Sequence, residues 1–144
     1  VTTSPDFPGT GSSYFKPYNG ASNAVFVSKL CAGGADLGYS ALFGGANNTV
    51  AGIAVDNTGR AVVVGGNDTG LAVSSGPQVY PGSWASTKPG GVNAFAVKLN
   101  AAGTDAVFST YLGGISSQAS AVSVDSAGST SITGAGDNTW LVTP

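Results

Sequence analysis

KLCAGGADLGYSALFGGANNTVAGIAVDNTGRAVVVGG, residues 29–66, is answered by KLNAAGTDAVFSTYLGGISSQASAVSVDSAGSTSITGAG, residues 98–136. The two stretches align without a gap at an offset of 69 residues. Self-similarity at a fixed period marks a repeat architecture. A repeat unit cannot bury its apolar face alone, and this chain has only about two units. The sequence therefore speaks first about construction and assembly, and less about chemistry.

Each unit reads as strands. Apolar residues do not recur at helical spacing, and Gly and β-branched residues dominate. The alternation, bounded by Gly, Asn and Asp turns, predicts eight strands near 24–30, 37–43, 50–56, 60–66, 94–99, 106–112, 119–125 and 129–135. Asp56-Asn57-Thr58-Gly59 and its counterpart Asp125-Ser126-Ala127-Gly128 are turns: Asp bonds the backbone two residues on, and Gly accepts positive φ. Ala32–Asp36 and Ala101–Asp105 turn the hairpin before each of them. The continuous run Ala61-Val62-Val63-Val64 reads as a strand covered on both faces. Phe26 with Phe95, Tyr39 with Phe108, and Phe43 with Leu112 are matched large residues suited to a core between sheets.

Residues 67–93 form a long loop whose parts also recur. Tyr80-Pro81-Gly82 and Lys88-Pro89 echo Phe7-Pro8-Gly9 and Lys16-Pro17, and the tail from Asp137 echoes the loop's start at Asp68. The chain ends thus fall inside one copy of this loop. The absent initiator Met and the start at Val1 suggest a processed chain or a fragment.

These residues resemble the bacterial SBBP repeat, a β-propeller repeat. Asn93–Asn100 is similar to its D-A-F-V-A-K-L-N strand and Phe108–Gly114 to its Y-S-T-Y-L-G-G strand. Gly52–Asp56 with Ala61–Gly66 resembles the inner strands, and Asp6-Phe7-Pro8 with Pro81–Trp84 resembles the loop. The resemblance implies antiparallel four-stranded blades. Residues 1–23 would be a loop and 24–43 the outer half of a blade. Residues 50–112 would be a full blade carrying the loop 67–93, followed by an inner half blade at 119–135 and a tail at 136–144. A closed propeller needs at least four blades, so the halves must be finished by other copies or by a longer protein. An eight-stranded β-sandwich is the alternative.

Composition narrows function. With no His and no Glu, the commonest acid–base and nucleophile-activating groups are missing, which points away from catalysis. All seven acids are Asp, and the five bases are scattered, giving a net charge of −2. Phosphate binding needs clustered cations, so nucleic acid is not an expected partner. No apolar run is long enough for a membrane span. Low charge on a Ser/Thr/Asn-rich surface suggests an extracellular or cell-surface, secreted protein. Cys31 is the single cysteine and aligns with Asn100, which suits a turn residue, with an intermolecular bridge as the sharper reading. No cofactor is expected. Asn67-Asp68 and Asp137-Asn138 offer oxygen ligands that could suit Ca²⁺, but a loop role suits them better.

Three functions follow as expectations. The first is a structural protein that self-assembles into a filament or ring by completing blades between copies. Phe7, Phe26, Tyr39, Phe43, Val122, Val124, Ile132 and Trp140 are its expected interface. The second is a lectin-like ring binding glycans through Trp84, Trp140, Tyr14 and Tyr80. The third is an interaction domain of a larger surface protein. Asn47 and Asn67 begin N-glycosylation sequons.

Overall fold

Strands form where β-branched and aromatic residues alternate with small ones between turn residues. In the computed structural model they are β1 (Val25–Leu30), β2 (Leu37–Phe43), β3 (Asn48–Val55), β4 (Ala61–Asn67), β5 (Asn93–Leu99), β6 (Ala106–Leu112), β7 (Ser117–Val124) and β8 (Thr130–Gly136). The structure describes residues 1–4, 7–8, 23–44, 47–68 and 90–137, and among these there is no helix. The largest departures from the sequence reading are the starts of β3 and β7. These begin at Asn48 and Ser117, polar residues that the apolar alternation does not mark.

All neighbouring strands are antiparallel, and they form three sheets in the orders β1-β2, β3-β4-β5-β6 and β7-β8. A sandwich would divide them between two. The four-stranded sheet lies in the middle. Successive side chains of a strand face opposite ways, and β4 and β5 are buried along their whole length. Ala61, Val63, Phe95, Val97 and Leu99 turn to one face and pack with Val25, Val27, Tyr39, Ala41 and Phe43 of β1 and β2. Val62, Val64, Ala94 and Ala96 turn to the other face and meet Ala119, Val122, Val124 and Ile132 of β7 and β8. The two hairpins thus cover opposite faces of the central sheet. Each fully buried Val, Leu or Phe contributes about 1.5–3 kcal/mol.

The repeat extends to pairing detail. β1 and β2 pair with a register shift between Lys29 and Leu30, and β5 and β6 with the same shift between Lys98 and Leu99. The shift at Val50/Gly52 in β3–β4 returns at Ala119/Ala121 in β7–β8. The Asp turns also match. Thr58 N donates to Asp56 Oδ1 at 2.9 Å and Ala127 N to Asp125 Oδ1 at 2.9 Å. Gly59 and Gly128 close these turns at φ 81° and 86°, where a side chain would be strained.

Equivalent residues also touch. Asn57 Nδ2 donates to the Ser126 carbonyl at 3.2 Å, and Gln118 Nε2 to Thr49 Oγ1 at 3.1 Å, each pair 69 residues apart. β7 accordingly packs beside β3 and β4.

Candidate functional site

Chemistry-bearing side chains do not gather among the described residues. Among the described residues no group of three or more His, Cys, Asp or Glu comes together. Cys31 is exposed and free. What stands out is the pair of two-stranded sheets, because each lacks what its counterpart in the central sheet has.

The central sheet supplies the reference. β4 joins β5 through Val62↔Lys98, Val63↔Val97, Val64↔Ala96, Gly65↔Phe95, Gly66↔Ala94 and Asn67↔Asn93. The strand equivalent to β4 is β8, and the strand equivalent to β5 is β1. Among the described residues neither has such a partner, and only Thr2 bridges the start of the β1 hairpin, at Ala24. Burial follows this difference. Phe95 and Leu99 are 0% exposed, whereas Phe26 and Leu30 are 39% and 61% exposed. β8 is half-buried or exposed throughout. Unpaired strand edges carry free N–H and C=O groups and invite pairing with another strand.

One feature is kept in both copies. A Cβ on Gly65 would lie 1.9 Å from the Thr49 carbonyl oxygen, and one on Gly134 would lie 2.3 Å from that of Gln118. Both positions need Gly because the partner strand bulges against them. At Gly65 the space across the strand is used by the Phe95 ring, 3.1 Å from that Cβ position. At Gly134 an apolar cleft of about 270 Å³ remains, lined also by Ala94, Leu112 and Ile132.

The seam between β4 and β5 also holds an ion pair. Lys98 Nζ lies 2.9 Å from Asp56 Oδ2, with side chains 6% and 3% exposed. It also donates to the Gly128 carbonyl at 3.1 Å. Hydrogen bonds from the Thr58 hydroxyl and the Arg60 N–H, with further help from Lys98, hold the Asp56 carboxyl well below the usual carboxylate range; burial opposes them and loses. Burial raises the Tyr39 hydroxyl pKa. Sequence reasoning missed the Lys98–Asp56 pair. The signal was present: in a chain poor in charge, Lys29 and Lys98, and Asp56 and Asp125, hold equivalent positions.

The expected site residues separate into groups. Trp84, Trp140, Tyr14 and Tyr80 lie outside the described residues. Phe26 is partly exposed and stacks on Phe7, with ring centroids 4.7 Å apart. Val122, Val124 and Ile132 are half-buried against the second core. Tyr39 and Phe43 are not at a free surface: they are 4% and 1% exposed within the first core. Their equivalents Phe108 and Leu112 are only partly buried, and no outer hairpin among the described residues covers that end of the face. Asn47 is exposed and donates to Asp68 Oδ2 at 3.3 Å. Asn67 is fully buried and its Nδ2 donates to Asn48 Oδ1, which leaves no room for a glycan in the folded chain.

No protein-family model matches this chain, and no curated protein or solved structure matches it.

Proposed function

We propose that this protein is a structural self-assembly module in which copies join by completing one another's sheets. A single observation carries the reading. The β4–β5 seam has equivalents at β8 and β1, and these two edges lie on opposite sides of the central sheet. They cannot meet within one chain. Paired between two chains, they would form a second four-stranded sheet in the order β7-β8-β1-β2. Pairing of this kind is β-strand addition, with main-chain hydrogen bonds supplying affinity and side chains supplying register.

In this reading the four-stranded sheet is a propeller-type blade and each hairpin is half of one, in line with the resemblance to SBBP repeats. Contacts between residues 69 apart, Asn57 with Ser126 and Gln118 with Thr49, support blades turning about an axis beside β3 and β7. The joining is heterologous, so it generates a ring if the rotation closes and a filament if it does not. The role is non-catalytic, and a secreted or cell-surface setting suits the low-charge composition.

Native mass spectrometry with negative-stain electron microscopy tests this. Species larger than the 14.0 kDa chain, as an open polymer or a closed ring, are expected. A folded monomer at every accessible concentration would overturn the reading. A discrete three-chain ring would turn attention to glycans, to be tested on an array with Trp84→Ala and Trp140→Ala variants.

A further inference from the structure

Resting on that strand-completion reading, we infer that Lys29 of one copy forms a buried ion pair with Asp125 of a second copy, while Phe26 of the first fills the cleft at Gly134 of the second. The template is the seam inside the chain. Moving β4 forward and β5 back by the repeat offset of 69 residues turns Val62↔Lys98 into Ser131↔Lys29, Val63↔Val97 into Ile132↔Ser28 and Gly65↔Phe95 into Gly134↔Phe26.

Three observations independent of this transposition agree with it. First, Lys29 is already half-placed. Lys98 Nζ sits 3.7 Å from where a Gly128 Cβ would stand, and Lys29 Nζ sits 3.8 Å from the same point at Gly59. Lys29 therefore reaches the Asp56–Gly59 turn of its own chain just as Lys98 reaches the Asp125–Gly128 turn. Lys98 also has Asp56, whereas Lys29 makes no ion pair among the described residues. Second, Asp125 is prepared like Asp56. Its Oδ1 accepts from Ala127 N at 2.9 Å and Ser129 N at 2.8 Å, as Asp56 Oδ1 accepts from Thr58 N and Arg60 N at 2.9 and 3.0 Å. In Asp56 the second oxygen then takes the lysine; Asp125 is exposed and makes no ion pair among the described residues. Third, the cleft has the right lining for an aromatic ring. It is bounded by Gly134, Ala94, Leu112 and Ile132, and at the matching place in the central sheet the Phe95 ring lies against Gly65.

The partner is thus a second copy of this chain, and the lock is specific to register. A shift by one residue would put Phe26 opposite a residue other than Gly134 and turn every side chain to the wrong face. Lys29 would at the same time move away from Asp125.

Sedimentation equilibrium of wild type, Lys29→Gln, Asp125→Asn and the double variant tests the pair. Asp125→Asn keeps the Oδ1 that caps the turn and removes only the charge. Both residues are exposed in a single copy, so circular dichroism and the unfolding midpoint of dilute protein should not change. Each single variant should weaken association roughly a hundredfold or more, as expected for leaving one member of a buried pair alone. The double variant should lose no more than the worse single one. Assembly as tight as wild type in both single variants, or losses that simply add, would overturn the ion pair while leaving strand completion standing. A wild-type chain that stays monomeric would overturn both.

Discussion

The seam between β4 and β5 and the two edges of β8 and β1 are built from the same repeat and have different fates. In the seam, Phe95, Val97 and Leu99 are fully buried and Lys98 is paired. At the edges, Phe26, Leu30 and Lys29 hold equivalent places and are exposed. Hairpin features survive in both: the bulges, the Asp turns and the Gly positions match. Features that need a neighbouring hairpin survive in one only. The difference separates what a hairpin fixes by itself from what the joining of two hairpins adds.

The largest expected effect tests that separation at the matched aromatics. Phe95→Ala should destabilise the chain by about 3–5 kcal/mol, the usual cost of removing a fully buried Phe. Phe26→Ala should cost dilute protein only about 1–2 kcal/mol, because the ring is partly exposed and its stacking on Phe7 is a modest term. Urea unfolding at low concentration compares them. Equal losses would erase the asymmetry between seam and edge.

A smaller effect should ignore the asymmetry. Gly65→Ala and Gly134→Ala each force a Cβ against the backbone of the adjoining strand, and each should cost about 1–3 kcal/mol of overpacking. The losses should be similar, because this constraint belongs to the hairpin. A harmless Gly134→Ala in thermal melts would mean that the β7–β8 hairpin does not keep the close approach of its counterpart.

The last effect is read as a change with pH. Asp56 has its pKa lowered by folding from an ordinary value of 3.8. Its charge therefore contributes stability that is fully present above that value and is lost as pH falls through the lower folded one. Asp56→Asn should be less stable than wild type at neutral pH, and the gap should narrow as pH drops below 3.8. A gap independent of pH would remove the ionised carboxylate from the account of the seam.

The fold was legible to an unusual degree because the repeat doubles every signal. A single Asn-Thr-Gly after an Asp is a weak turn marker; its return as Ser-Ala-Gly in the same frame makes it a strong one. The run Ala61–Val64 identified the doubly covered strand from composition alone. Burial that depends on neighbouring sheets was less legible. Tyr39 and Phe43 looked available for assembly, yet they are covered by the chain's own central sheet; the residues left partly uncovered are their equivalents Phe108 and Leu112. Nothing local distinguishes the two sets, since only the order of the sheets decides which hairpin gains a cover. Asn67 failed as a sequon for a similar reason: three residues cannot report that the side chain is buried against Asn48. The Lys98–Asp56 pair was missed because each partner reads alone as an ordinary strand-end Lys and turn Asp, on elements joined by a long connection.

Cross-linking between chains tests the joining itself. Two chains would be prepared in a Cys31→Ser background, one carrying Ser28→Cys and the other Ile132→Cys, then mixed at assembling concentration and oxidised. Directly opposed residues on antiparallel strands hold their Cα atoms about 4.5–5.5 Å apart, within the span of a disulfide. The dominant product should be a disulfide between residue 28 of one chain and residue 132 of the other, matching Val97 and Val63 in the central sheet. Products confined to unlinked chains, or to 28–28 and 132–132 dimers, would contradict it.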